Sequence, residues 1–340
     1  MTGIAGPAVW GVFAAIIVVM LVIDLGVFHR KPHVIGFREA AVWSGVWIFL
    51  ALSFNVLVYV LYGSRPAFEF LQAWLIEKAL SVDNIFVFLA IFAYFGVARR
   101  LQHRVLFWGI LGALITRGIF IWAGAALLHT FHWVMYVFGA FLLLTAVKMM
   151  LGNESEVHPE KNPVLRVMRR LIPVTREYAG IRFLVKRDGR IMATPLLMVL
   201  VVVEATDVVF AVDSIPAVFG VTSDVFIVYT SNIFAILGLR ALSFLVADLV
   251  RRLRYLKVGL SLVLAFIGVK MLIGQHVKIP DLASLGVVVV LLLGSAVASL
   301  LIPAPPEEAA PEQSAGHPEH VTTGGGMKAN PREVTDSKND

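Results

Sequence analysis

The sequence predicts an all-α, polytopic membrane protein with about nine transmembrane helices, including two inverted three-helix repeats. Three observations lead to this prediction. Hydrophobic residues make up 59% of the 340 residues and charged residues only 15%, which is far from the composition of a soluble domain. Roughly nine apolar stretches reach about 20 residues, the length that a helix needs to cross a bilayer. Two acidic motifs also recur, followed by similar features in the same order.

The apolar stretches and the charges between them predict the topology. The predicted spans cover residues 8–28, 42–61, 71–95, 105–128, 133–151, 194–219, 225–249, 256–273 and 283–302. Lysine and arginine are concentrated in every second link, after the first, third, fifth and seventh spans. Because basic links stay on the cytoplasmic side, the pattern indicates a multi-pass protein of the cell membrane. Its N-terminus is expected outside and its C-terminus in the cytoplasm.

Two segments are expected outside the membrane domain of residues 1–302. The cytoplasmic link 152–193 carries nine basic and five acidic residues, as expected for a segment beside anionic lipid. A nucleic-acid interface is the less favoured interpretation, and we expect none. The tail, residues 303–340, is rich in Pro, Glu, Gly, Ser and Thr and is predicted to be disordered. Either segment could bind a cytoplasmic protein partner.

An internal repeat is visible in two acidic motifs. The third span contains EKALSVDNIFVF from Glu77, and the sixth contains EATDVVFAVDSIPAVF from Glu204. Superposing the last acid of each motif aligns three pairs of residues: Glu77 with Asp207, Asp83 with Asp213, and Asn84 with Ser214. The recurrence predicts two structurally related helices.

The repeat extends over three helices. The spans that follow the motifs carry a mid-helix arginine, Arg117 and Arg240, and the next spans end in AVKMMLG and GVKMLIG. Because three is an odd number, the copies at about 71–151 and 194–273 must cross the membrane in opposite senses. Inverted repeats are typical of secondary transporters with a site near the bilayer midplane, although a duplicated scaffold would show the same pattern.

Acidic side chains within the apolar runs are the candidate site. Each buried charge costs on the order of 2.5 to 3.5 kcal/mol, and the acids outnumber the central bases. Helices crossing near Asp83 and Asp213 would bring four carboxylates and the Asn84 amide around one volume, with Glu204 adding a carboxylate on the cytoplasmic side. Such oxygen ligands suit Mn²⁺, Mg²⁺ or Ca²⁺. The absence of cysteine from the sequence excludes thiolate sites.

Other polar residues within the spans are assigned supporting roles. Arg117 and Arg240 are expected to pair with an acid when no ion is bound. Asp24 and Asn55 are lone polar residues of the first two spans, which more often serve in helix packing than as ligands. Pro216 should kink or open the sixth span beside Asp213. The alternative is purely structural: the acids would only neutralise the buried bases.

The motifs EKALSVDNIFVF and TPLLMVLVVVEATDVVFAVDSIPAVF closely resemble those of the TerC family of membrane proteins, over about residues 8–302. The family is named for tellurium resistance and is similar to the LysE superfamily of exporters. The resemblance implies export of manganese. The residues of this sequence that match the family's acidic motifs are the acidic positions named above, together with Asn84 and Ser214. Asp24 and Asn55 match polar positions of the first two helices.

We therefore expect export of divalent metal ions, with Mn²⁺ as the substrate, through a midplane carboxylate site by gradient-driven alternating access. No ATP-binding GxxxxGK[ST] motif occurs, and neither an enzyme activity nor a resident cofactor is expected. The alternative is a membrane scaffold or a stress-response assembly factor of the tellurium-resistance type, with structural buried charges. Handling of tellurium oxyanions fits poorly, because the surplus buried charge is negative.

Overall fold

The computed structural model describes residues 4–28, 37–151, 163–175, 177–187, 189–239, 241–243, 245, 255–274 and 277–302. Arg240 and the predicted disordered tail at 303–340 lie outside the described residues, as does the first part of the link 152–193.

Helices dominate the described ranges. In chain order they are α1 (Pro7–Phe28), α2 (Phe37–Tyr62), α3 (Ser64–Tyr94), α4 (Arg99–Thr130), α5 (Val134–Leu151), α6 (Pro163–Leu171), α7 (Pro195–Phe219), α8 (Val225–Leu237), α9 (Leu256–Ile273) and α10 (Asp281–Leu301). Residues 239, 241–243 and 245 are also helical. Local signals set some of these bounds. Pro195 opens α7, where its missing N–H costs nothing, and the Asp224 carboxylate caps α8 by accepting from two backbone amides.

The described helices form a polytopic membrane protein. Six of them are long and apolar enough to cross a bilayer, namely α2, α4, α5, α7, α9 and α10. Two shorter apolar stretches are Pro7–Val22, which belongs to α1, and Val225–Leu237, which is α8. Helix α3 has 31 residues but carries five charged side chains. Nine crossings therefore remain a prediction, although helices occupy the predicted spans wherever these are described.

Burial follows the pattern of a bundle surrounded by lipid. Large apolar side chains face outward, such as Leu144, which is 70% exposed, and Trp122, which is 63% exposed. Charged side chains lie inside, with Glu77 at 0% and Arg117 at 2%. Because an exposed apolar surface is stable only against hydrocarbon, this distribution agrees with the membrane assignment.

The packing pairs helices from the two predicted repeats. Helix α3 packs against α8, α4 against α7, and α5 against α9. Two glycines, Gly139 and Gly268, face each other where α5 packs against α9. A Cβ on Gly268 would lie 2.8 Å from the Gly139 carbonyl oxygen, and a Cβ on Gly139 would lie 3.0 Å from the Gly268 carbonyl oxygen. Small residues thus allow the two backbones to touch, as in many membrane helix pairs.

The all-α prediction omits a small hairpin in the link 152–193. Strands β1 (Leu184–Arg187) and β2 (Arg190–Ala193) pair in antiparallel fashion, with Leu184 opposite Ala193. Gly189 in the turn has a φ of +76°, a conformation that glycine adopts without strain. The sequence contained the signal, because an Asp-Gly pair between strands is typical of a tight hairpin turn.

Candidate functional site

A buried ion-pair cluster lies where α3, α4 and α7 meet. Arg117 of α4 contacts Glu77 of α3 through Nη1 and Asp207 of α7 through two nitrogens. The distances to Asp207 are 3.0 Å from Nη2 to Oδ1 and 3.3 Å from Nε to Oδ2. Nη1 also lies 3.5 Å from the Ser214 hydroxyl. One arginine therefore joins two acids that the repeat alignment had matched to each other.

The cluster has an excess of negative charge. The formal charges of its two carboxylates and one guanidinium sum to −1, and Glu77 and Asp207 are only 0% and 4% exposed. Glu77 Oε2 has no hydrogen-bond partner in the described part of the structure. An unpaired buried carboxylate oxygen is costly, so a further cation or donor would be stabilising at this position.

On α3 a polar stripe runs away from the cluster. Ser81 and Asn84 follow Glu77 at four and seven residues, which places all three on one helix face. Their exposures are 0% for Ser81 and 4% for Asn84. The Ser81 hydroxyl also lacks a partner among the described residues. The stripe provides a carboxylate, a hydroxyl and an amide within about two helical turns.

Helix α7 carries a matching stripe of Glu204, Asp207 and Ser214. The Glu204 carboxylate lies against Gly112 of α4, where an added Cβ would come within 2.2 Å of Oε1. Glu204 also interacts electrostatically with Asp207. Gly112 therefore leaves the space that Glu204 occupies, and Glu204 adds a carboxylate next to the cluster.

The predicted cage of four carboxylates is not found in the described part of the structure. No group of three or more Asp, Glu or His side chains is placed there to hold a metal ion. Asp213 is half-buried and interacts electrostatically with Lys148 of α5. Because it follows Asp207 by six residues, it projects about 120° away from the cluster. Its role as a ligand stays a prediction.

The remaining predicted residues lie as follows. Asp24 and Asp83 belong to the helical backbones of α1 and α3, but their side chains are outside the described residues. Asn55 of α2 has a buried Oδ1 without a partner in the described ranges. Helix α7 continues through Pro216 to Phe219, so the helix does not open beside Asp213. A kink at Pro216, which lies in the last turn and cannot donate a backbone hydrogen bond, stays a prediction.

Lys78 does not neutralise an acid in the described structure. Its ammonium donates to the Ala235 carbonyl oxygen at 3.1 Å, and a Cβ on Gly238 would lie 2.7 Å from Nζ. Glycine at 238 therefore makes room for the amine. The interaction ties α3 to the C-terminal end of α8 and leaves Arg117 as the base at the cluster.

A second polar network joins the start of α3 to the start of α10. Glu69 accepts from Arg65 Nε at 3.0 Å and from the Thr222 hydroxyl at 2.6 Å. Arg65 Nε also lies 3.4 Å from Asp281. Glu69 is buried, whereas the Arg65 side chain is 78% exposed. This network closes one end of the bundle.

Sequence reasoning overlooked Asn232. This asparagine of α8 is 1% exposed, and neither Oδ1 nor Nδ2 has a partner within the described residues. The signal was present, because Asn232 is a lone amide inside an apolar run, as Asn55 is. Ser81 was also overlooked, although its spacing of four from Glu77 places the two on one face.

Comparisons with known proteins agree with the membrane architecture. Residues 62–305 match the profile of the integral membrane protein TerC family. An uncharacterized membrane protein of Myxococcus xanthus is 52% identical over 298 residues, covering 88% of this chain and 93% of that protein. A putative membrane-bound redox modulator, Alx, of Escherichia coli strain K12 is 46% identical over 297 residues, covering 85% and 92%. No solved structure matches the chain.

Proposed function

Because the chain belongs to the integral membrane protein TerC family, we propose that it exports divalent metal ions from the cytoplasm, with Mn²⁺ as the substrate. The observation that carries the proposal is the buried cluster of Glu77, Asp207 and Arg117 with its surplus negative charge. Two carboxylates from different helices are suitable ligands for a hard divalent cation. An arriving cation would take the place of the Arg117 guanidinium.

The pairing of Arg117 with both acids supports a partly neutralised resting state. Without a cation, the guanidinium offsets half of the formal negative charge of the two carboxylates and makes the ligand-free site tolerable in a low-dielectric interior. When a divalent cation binds, Arg117 must release at least one acid. The binding of cation and the movement of α4 relative to α3 and α7 are thereby coupled, as a transport cycle requires.

Alternating access fits the arrangement of the helices. We propose that α3 to α5 and α7 to α9 form inverted repeats within nine membrane crossings, with the N-terminus outside and the C-terminus in the cytoplasm. The reciprocal packing of α3 on α8 and of α4 on α7 supports the repeat. In such proteins the two repeats rock around a central site, and an ion gradient would drive the cycle.

The name of the Escherichia coli relative suggests a redox role, but the present sequence has no cysteine, so thiol exchange within this chain has no chemical basis. A membrane scaffold with structural buried charges is the other candidate. It predicts that neutral substitutions in the cluster disturb folding and leave ion movement unaffected.

Uptake of Mn²⁺ into inverted vesicles of known orientation tests the proposal. Folded Glu77→Gln and Asp207→Asn variants, present at wild-type amounts, should lose uptake. Asp213→Asn tests the predicted ligand role of that residue in the same assay. Glu177→Gln, which removes an exposed carboxylate of the cytoplasmic link, should transport normally. No wild-type uptake across several imposed gradients, or cluster variants equal to wild type, would refute the proposal.

A further inference from the structure

Asn232 is a buried amide without an internal role in its own helix. The neighbouring hydroxyls of Thr230 and Ser231 donate to backbone carbonyls of α8 at 2.7 and 3.1 Å. Asn232 makes no such bond in the described structure, although it is 99% buried. Native proteins seldom bury an amide with neither polar atom paired, so a bound ion, another ligand or a water molecule is needed to satisfy it.

Contacts on either side of Asn232 establish which space it faces. Tyr229 packs on α4 beside Arg117, because a Cβ on Gly118 would lie 3.2 Å from its ring. Ile236 lines a small cavity together with Asp207. Asn232 follows Tyr229 by three residues and precedes Ile236 by four, so the three side chains share one face of α8. That face is therefore turned toward α4 and toward the small cavity that Asp207 also lines.

The level of Asn232 along α8 is also close to the level of Glu77 along α3. Lys78 Nζ bonds to the Ala235 carbonyl oxygen, so Glu77, the residue before Lys78, lies less than two helical turns from the level of Asn232. Among the described residues, neither Glu77 Oε2 nor the Asn232 amide has a hydrogen-bond partner, and they belong to α3 and α8, two helices that pack against each other.

We propose that Asn232 is a ligand of the transported divalent cation, with its amide oxygen joining Glu77 and Asp207 at the central site. This inference rests on the proposed function and adds a residue that the acidic motifs do not contain. A neutral amide oxygen is an ordinary ligand of hard cations. Its NH₂ group remains available to donate to a carboxylate oxygen that does not contact the ion. The second repeat would then supply ligands from both α7 and α8.

The test compares Asn232→Leu with wild type in purified full-length protein in lipid nanodiscs. Mn²⁺ binding is measured by the loss of the free-ion electron paramagnetic resonance signal, and thermal unfolding is measured without metal. We expect binding about tenfold weaker, equivalent to about 1.4 kcal/mol. The metal-free midpoint should not fall, because no hydrogen bond of the protein is lost. Asn232→Asp, which keeps an oxygen at this position, should retain binding.

The matched control is Ser231→Ala, which removes a buried hydroxyl that is satisfied within α8; its Mn²⁺ affinity should equal that of wild type. Equal affinity in Asn232→Leu and wild type would overturn the inference and leave the proposed function standing. A lower metal-free midpoint that fully accounts for weaker binding would also overturn it, in favour of a structural role. Absence of Mn²⁺ binding by wild type would refute the proposed function, and this inference with it.

Discussion

Removing the buried guanidinium of Arg117 should strongly destabilise the protein. The Arg117→Gln substitution leaves Glu77 and Asp207, exposed by only 0% and 4%, without their cation. Breaking a buried pair by removing one partner costs roughly 3 to 5 kcal/mol. The upper part of that range applies here, because two carboxylates lose their partner together.

A double-mutant cycle isolates the contribution of one pair. Arg117 makes two contacts with Asp207, at 3.0 and 3.3 Å. A hydrogen bond to a charged group contributes about 1.5 to 3 kcal/mol. Since both contacts share one carboxylate and one contact is long, we expect a coupling energy of about 2 to 3 kcal/mol. In the double variant Arg117→Gln/Asp207→Asn, the destabilisation should be smaller than the sum of the single effects by that amount.

The assay is reversible equilibrium unfolding in mixed micelles, followed by tryptophan fluorescence for wild type, both single variants and the double variant. Arg65→Gln is the matched control, because Arg65 also contacts two acids but its side chain is 78% exposed. Its loss should cost less than about 1 kcal/mol. Single effects that add to within about 0.5 kcal/mol would refute the reasoning that the cluster is an energetically coupled unit.

Three further predictions concern other contacts. Gly112→Ala should displace the Glu204 carboxylate and reduce Mn²⁺ uptake in vesicles without loss of folded protein; unchanged uptake would show that Glu204 is dispensable. Burial raises the pKa of Tyr178, whose hydroxyl donates to the Phe95 carbonyl at 2.7 Å. Protection of the link 152–193 from proteolysis should therefore hold up to the ordinary tyrosine pKa of about 10 and fall as pH rises through the elevated pKa; Tyr178→Phe should show no such fall. Gly268→Ala would place a methyl group 2.8 Å from a backbone carbonyl oxygen of α5, and it should lower the thermal midpoint where Gly286→Ala, in open space, does not.

The sequence predicted the helices well because the bilayer imposes a simple rule. A predicted span at 133–151 corresponds to α5 at Val134–Leu151, since continuous apolar runs of that length form little else in hydrocarbon. The acids of the site were also recognised individually, because each charge in an apolar run stands out. The repeat alignment matched Glu77 with Asp207, and one arginine contacts both acids in the structure; the repeat itself stays a prediction.

Spacing alone could not predict which side chains face the centre of the bundle. Asp213 and Asp207 belong to one motif, yet a separation of six residues turns them to different sides of α7, and only the packing of α4 and α5 decides which side faces the centre. Asn232 was overlooked for a related reason. A lone asparagine in an apolar helix is usually a packing residue, and its position between Tyr229 and Ile236 gains meaning only once α8 is placed against α3 and α4.

The glycine contact between α5 and α9 is a pivot point for the two helices. Gly139 has twelve residues of α5 beyond it, and Gly268 has twelve residues of α9 before it, so each helix has a long arm of about 18 Å on one side of the contact. Because the backbones already touch, the helices cannot move closer at this point. A rotation of about 10° at this point would move the end of each arm by about 3 Å. Rotation of these two helix segments of equal length about one point would open one side of the bundle and close the other.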